Sequence, residues 1–240
     1  MSAATTLTPQ KCGACKADAK FLCIGCANTA YCSLECLEKN KRVHGLLCAT
    51  FKDYQERPDK NYYRGIYFPE HDTKPQFVWL EFDGSRLCMR MVDAVQEKYL
   101  GNNSFRSVYF DDDKDLQRQF KHQVEVHHHD NFLYNGSDTN KSLAPLIGST
   151  SAPGWRGPLL AQGCKYGYSE DYLDKVEPED VESDDEGEIP LIPMDLDTTS
   201  LGPIIAHLKF VATCQHLPLV ESMVYAMKVS QGYGVDVDAE

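Results

Sequence analysis

Apolar positions along this chain follow two different periods. Between residues 61 and 129 they gather in short runs rich in aromatic and β-branched side chains: NYYRGIYF (61–68), QFVWLEF (76–82), SFRSVYF (104–110) and QVEVHHH (123–129). Such runs predict strands. In the second run Phe77, Trp79 and Glu81 alternate with Val78, Leu80 and Phe82, the pattern of a strand buried on both faces. Asp83-Gly84 signals a turn, and SRLCMRMV is the returning strand of a hairpin. DAVQEKYLG predicts a short helix stopped by Gly101. PGWRGPLLAQG (153–163), punctuated by glycine and proline, predicts a segment curving around a sheet edge. Later the period changes. Leu201, Ile204, Ile205, Leu208, Val211 and Ala212 lie on one helical stripe, with Thr199 or Ser200 as cap and Pro203 in the first turn. Leu219, Val220, Met223, Val224 and Met227 predict a second helix after Pro218. Residues 61–230 therefore predict an α+β domain, mostly antiparallel, with its helices late in the chain.

The front of the chain has no such periodicity. Residues 12–48, CGACKADAKFLCIGCANTAYCSLECLEKNKRVHGLLC, hold seven of the ten cysteines. No signal-peptide run opens MSAATTLTPQ and no stretch of eighteen apolar residues occurs, so an intracellular protein, nuclear or cytoplasmic and outside the membrane, is expected. Thiols stay reduced there, and closely spaced cysteines point to metal before disulfides. The candidate ligands are Cys12, Cys15, Cys23, Cys26, Cys32, Cys36, His44 and Cys48. Eight is the number two tetrahedral zinc sites require. Cys12-Gly-Ala-Cys15 and Cys23-Ile-Gly-Cys26 fit tight knuckles, whose backbone angles glycine tolerates. Cys32 and Cys36 stand one helical turn apart, and His44 and Cys48 repeat that step. Ser33 is placed to cap a helix whose body runs from Leu34 to about Val43. Spacing leaves two pairings open: sequential (12, 15, 23, 26 and 32, 36, 44, 48) or interleaved (12, 15, 32, 36 and 23, 26, 44, 48).

The order of seven cysteines and one histidine, with Tyr31-Cys32-Ser33 before the helix and His44-x3-Cys48 at its end, resembles a MYND-type zinc finger. The resemblance covers residues 12–48. It implies the interleaved pairing: zinc 1 on Cys12, Cys15, Cys32 and Cys36, zinc 2 on Cys23, Cys26, His44 and Cys48. It also implies a small fold with short helices and a role in gripping short proline-containing peptides of other proteins. Members commonly carry glutamine after the sixth cysteine and tryptophan four positions later. Here those groove positions hold Leu37 and Lys41. A cation in place of a stacking aromatic favours an acidic peptide. Thirty-seven residues cannot bury a sufficient core alone, so the two ions also serve as staples.

The expected organisation is a disordered tail (1–9), the finger (10–50), a linker or short helix (51–60), the α+β domain (61–230) and a loose acidic tail (231–240). The acidic run DKVEPEDVESDDEGE (174–188) reads as a disordered loop in which Ser183-Asp-Asp-Glu resembles an acidophilic kinase site. The net charge of −12 excludes a general attraction to nucleic acid. Residues 1–57 alone carry eight Lys or Arg against five Asp or Glu, too small an excess for a phosphate-binding face.

The run His127-His128-His129 raises a third metal site, with Glu125, His127 and His129 on one strand face, but reads better as a solvated polar edge strand. Cys88, Cys164 and Cys214 read as buried, inert thiols, and Trp79 and Trp155 as core or groove wall. Some MYND fingers sit within SET-type methyltransferases, yet no Asn-His pair and no late cysteine cluster occur, and no phosphate-binding glycine motif is present. The expectation is a non-enzymatic protein–protein adaptor with two structural zinc ions. An enzyme of unrecognised type in 61–230 is the alternative.

Overall fold

The computed structural model describes residues 10–83, 89–113, 115–148, 154–166 and 191–214. The expectations for the two tails, the acidic run with Ser183, the helix after Pro218, and Cys88 fall outside them. The side chain of Cys214 does as well.

The chain begins with a ribbon of β1 (Phe21–Leu22) and β2 (Ala30–Tyr31), Phe21 opposite Tyr31 and Leu22 opposite Ala30. Helix α1 (Leu34–Cys48) follows. Ser33 is extended, and its Oγ accepts the Cys36 amide at 3.3 Å, satisfying a donor the first turn leaves open. The helix continues five residues beyond the expected end, so His44 and Cys48 ride on it. A 3-10 turn (Phe51–Tyr54) occupies the expected linker.

The larger part is α+β. Its strands are β3 (Tyr62–Phe68), β4 (Gln76–Asp83), β5 (Arg90–Met91), β6 (Phe105–Asp113), β7 (Arg118–His129), β8 (Leu159–Tyr166) and β9 (Leu191–Met194). They form one seven-stranded antiparallel sheet in the order β5-β4-β3-β8-β7-β6, with β9 also on β8. β3 covers the first half of β8, with Ile66 opposite Ala161, and β9 takes over the second half, with Lys165 opposite Ile192. Helix α2 (Asp93–Leu100) ends at Gly101, whose φ of 72° is left-handed. A short α3 (Ala144–Ile147) and the long α4 (Leu201–Cys214) complete the fold.

The register explains the core. Phe77, Ile66, Ala161 and Val126 stand side by side across four strands and face Leu201, Ile204, Leu208 and Ala212 of α4. Each of the larger side chains among them contributes about 1.5–3 kcal/mol on full burial. The opposite face, with Val78, Leu80 and Leu160, packs against Val95 and Leu100 of α2. β4 buries Val78, Leu80 and Phe82 on one face and Phe77 on the other, where Trp79 and Glu81 are half-buried.

Two local expectations are corrected. Residues 159–166 do not curve around an edge; β8 is the most shared strand, pairing with β3, β7 and β9. Its Gly163 is required by space, since a Cβ there would lie 2.7 Å from the Met194 carbonyl oxygen. Residues 123–129 are not a solvated edge either. β7 lies between β6 and β8, and His127, His128 and His129 are all buried.

The front segment is seated on this body. Leu47 and Phe51 belong to the same apolar cluster as the sheet and α4, with Val43 and Leu46 packed alongside. Arg64 of β3 pins the join. Its buried guanidinium donates to the backbone carbonyls of Tyr54 and Leu196 and lies 4.7 Å over the Phe51 ring. Among the described residues no helix is long and apolar enough to cross a membrane.

Candidate metal centres

The short ribbon separates the eight candidate ligands into two groups. Cys23 follows β1 at the turn end, whereas Cys32 follows β2 at the open end. The first knuckle meets the open end, because the Gly13 amide donates to the Ala30 carbonyl and Lys20 to that of Tyr31. The second knuckle is the turn itself, closed by Cys23 N–H to Thr29 O at 2.8 Å and Ala27 N–H to Cys23 O at 2.8 Å. Helix α1 then spans both ends. Cys36 lies in its first turn and His44 eight residues on, about 12 Å along the axis at 1.5 Å per residue.

The result is two four-ligand groups, Cys12, Cys15, Cys32 and Cys36, and Cys23, Cys26, His44 and Cys48. Within each, the ligand atoms lie within 4.8 Å of one another. The arrangement is the interleaved one. A tetrahedral ion with bonds of about 2.3 Å to sulfur and about 2.0 Å to nitrogen needs edges of about 3.8 Å between sulfurs and about 3.5 Å from sulfur to nitrogen. Cys15 Sγ and Cys36 Sγ each lie 3.5 Å from Cys32 Sγ. Cys23 Sγ lies 3.7 Å from Cys48 Sγ, and His44 Nε2 lies 3.3 and 3.7 Å from Cys23 and Cys26. None of these sulfurs is in a disulfide. The donor set and its edges fit a tetrahedral metal ion at each group.

The surroundings suit that chemistry. Burial holds the His44 imidazole below its ordinary value, so it is neutral near pH 7 as a ligand must be. Tyr31, fully buried between the groups, packs edge-on to His44 at 6.0 Å, and its hydroxyl accepts from Asn40 Nδ2 at 3.1 Å. The knuckle glycines serve a purpose other than the expected backbone angles. Neither takes a left-handed φ; Ala27 does, at 52°. What they supply is room: a Cβ on Gly13 would meet Thr29 at 2.7 Å, and one on Gly25 would meet the Cys48 sulfur at 2.9 Å.

Of the expected groove positions, Leu37 is half-buried against the cluster of Cys12, Cys23 and Tyr31, and Lys41 is exposed, 3.2 Å from Glu38. Leu34 lies on the same stripe of α1 and is 73% exposed, while Ile24 at the tip of the second knuckle is wholly exposed.

The third-site residues are not brought together as ligands. His129 spends both nitrogens, Nε2 donating to the Leu100 carbonyl at 2.6 Å and Nδ1 accepting from Asn135 at 3.0 Å. His128 points to the other face, edge-on to Phe132 and Trp155. His127 Nδ1 lies 2.8 Å from Ser107 Oγ and 3.5 Å from Glu125. Glu125 itself accepts from Tyr109 at 2.8 Å and Gln162 at 2.6 Å. These groups form a buried polar strip across β6, β7 and β8, a feature missed because cross-strand register is not visible in one strand. Cys164 beside it is buried, its thiol pushed up to about 12, chiefly by burial. Trp155 is core, donating to the Leu208 carbonyl at 3.0 Å. Glu70, His71 and Asp138 form a further, largely exposed group that sequence spacing did not signal.

Comparison with protein families, curated proteins and solved structures finds no match to this chain.

Proposed function

We propose that the chain is a zinc-dependent protein–protein adaptor whose first 50 residues are a MYND-type finger. The observation that carries the reading is the pair of closed four-ligand groups. Every coordination position is a protein side chain, seven thiolates and one imidazole in tetrahedral arrays, which is the donor set of structural zinc. A closed shell leaves no position for a substrate or a nucleophilic water, so the ions hold shape and take part in no reaction. The interleaved grouping supports the MYND resemblance.

The partner surface is the exposed stripe of α1 carrying Leu34, Leu37 and Lys41, with Ile24 close in sequence to the second centre. Its chemistry selects short acidic, proline-containing peptides: aliphatic contacts from the leucines, and a cation in place of a stacking ring. The protein works in the nucleus or cytoplasm, where thiols remain reduced. No nucleic acid and no membrane enters this function.

Metal analysis and peptide titration test it together. The purified chain is expected to hold two equivalents of zinc, and to bind an acidic proline-containing peptide more tightly than a neutral one. Lys41→Glu should abolish that preference without releasing metal. Fewer than two equivalents would overturn the zinc assignment. Equal indifference to both peptides would overturn the partner assignment alone.

A further inference from the structure

The second metal centre has an outer shell that the finger does not supply by itself. His44 turns Nε2 toward the sulfurs of Cys23 and Cys26, which leaves Nδ1 to carry the proton. Nδ1 lies 3.2 Å from Thr29 Oγ1, and Thr29 Oγ1 lies 2.7 Å from Thr198 Oγ1. Thr198 in turn donates to Asn28 Oδ1 at 2.5 Å. With Nδ1–H as the first donor, every proton in this chain points the same way: His44 to Thr29, Thr29 to Thr198, Thr198 to Asn28; the backbone carbonyl of Thr198 faces the same imidazole as a second acceptor. Both hydroxyls are buried, and each has one proton to give and one acceptor to meet. Reversing the imidazole tautomer would break the first link.

Thr198 is 154 residues from His44 in sequence and belongs to the body. It also lies 3.7 Å from Cys26 Sγ, so it touches the ligand shell on two sides. Beyond it the network continues into the start of α4. Asn28 Nδ2 donates to Asp197 Oδ2 at 3.3 Å, and Asp197 Oδ1 accepts the Thr199 amide at 2.7 Å. The Asp197 amide donates to Ser200 Oγ at 3.1 Å, one residue before the helix. The first centre has a different seam: Arg118 of β7 donates to the Cys12 carbonyl at 3.3 Å and reaches no ligand side chain.

We infer that Thr198 is a positioning residue for the second metal centre, fixing the His44 tautomer from the body of the protein, so that metal occupancy there and the seating of the α4 N-terminus are coupled. This rests on the metal reading above. Outer-shell partners of a ligating histidine typically govern metal affinity by about 10–100-fold. The device makes the histidine-containing centre the one whose ligand side chain reports to the body through a hydrogen-bonded relay.

The test uses the full chain loaded with cobalt, whose spectra separate coordination by three thiolates and an imidazole from coordination by four thiolates, titrated with a chelator. Thr198→Val keeps the carbonyl that faces His44, so it should still take up two ions but lose affinity up to about 10-fold, the low end for a direct outer-shell partner, at the histidine-containing centre alone. Thr198→Ser should stay close to the unaltered protein. In the unaltered protein, withdrawing the ion from the histidine-containing centre should speed amide exchange across 196–204 while β7 stays protected. Unchanged affinity in Thr198→Val, equal losses at both centres, or exchange at 196–204 indifferent to withdrawal would each overturn the inference. Should Thr198→Val not fold, the exchange measurement on the unaltered chain decides alone. A chain that takes up no cobalt defeats the metal reading instead, which is a distinct result.

Discussion

The finger and the sheet reach order by opposite routes. Around the finger's metal groups the buried apolar cluster is Cys12, Cys23 and Tyr31, two of which are ligands themselves. Among the described residues the sheet and α4 share with Leu47 and Phe51 a cluster of twenty buried side chains. On the proposed zinc reading the front segment concentrates its stability in eight donor atoms and depends on a dissolved ion, whereas the sheet spreads its stability over many small contacts. The two meet along a main seam, through Leu47, Phe51, Arg64 and Thr198, and again where Arg118 reaches the Cys12 carbonyl, so they are joined despite their different physics.

The largest effect should come from stripping both ions. Apparent binding is about 10–16 kcal/mol per structural zinc in finger peptides, more than the net stability of most domains. Amide exchange should show 10–48 losing all protection while β3, β7 and β8 keep theirs. Loss of protection throughout the sheet would mean that the contrast between the regions is wrong.

Leu208→Ala is the reciprocal experiment. Leu208 is fully buried between α4 and the sheet, so about 2–5 kcal/mol should disappear from denaturant unfolding. Zinc content should stay at two equivalents. Arg64→Met probes the seam. It leaves the carbonyls of Tyr54 and Leu196 without their donor, and should cost about 3 kcal/mol. The exchange of 51–57 should rise more than that of β7, which would sharpen the seam's place between the two regions.

The smallest effect concerns alkali. The Cys164 thiol titrates near 12 when folded, above its ordinary 9.0, so the folded chain keeps a proton that the unfolded chain gives up. Stability from this group is complete below pH 9.0 and is lost as pH rises toward about 12. Cys164→Ala should therefore show a shallower fall in thermal midpoint between pH 9 and pH 10.5. An identical fall in both proteins would show that other groups govern the alkaline limb.

Much of the candidate site was legible in one dimension because its chemistry is local. Knuckle cysteines three apart, a serine before a helix and ligands four apart on that helix each satisfy a constraint within a few residues. Their division into two groups was not, since it depends on which end of the β1–β2 ribbon each cysteine reaches. The same limit explains the errors in the body. β8 was misplaced because its flanking glycines and prolines mark turns without saying how many neighbours the strand acquires. The histidines of β7 looked solvated because polar residues on a strand give no sign of the α2 carbonyl and the Ser107 and Asn135 partners that cover them.

The amino-acid order alone determined the ligand inventory, the Ser33 cap of α1, the apolar stripe of α4, and the strand segments β3, β4, β6 and β7 of an α+β protein, because spacing and period act over a turn or a pleat. Only the tertiary structure decided the sheet order, the interior position of β7, and the delivery of Thr198 to the second metal centre. Those depend on contacts between residues well separated in sequence, 95 positions for Ile66 and Ala161 and 169 for Thr29 and Thr198, and such contacts leave no periodic mark on the chain that makes them.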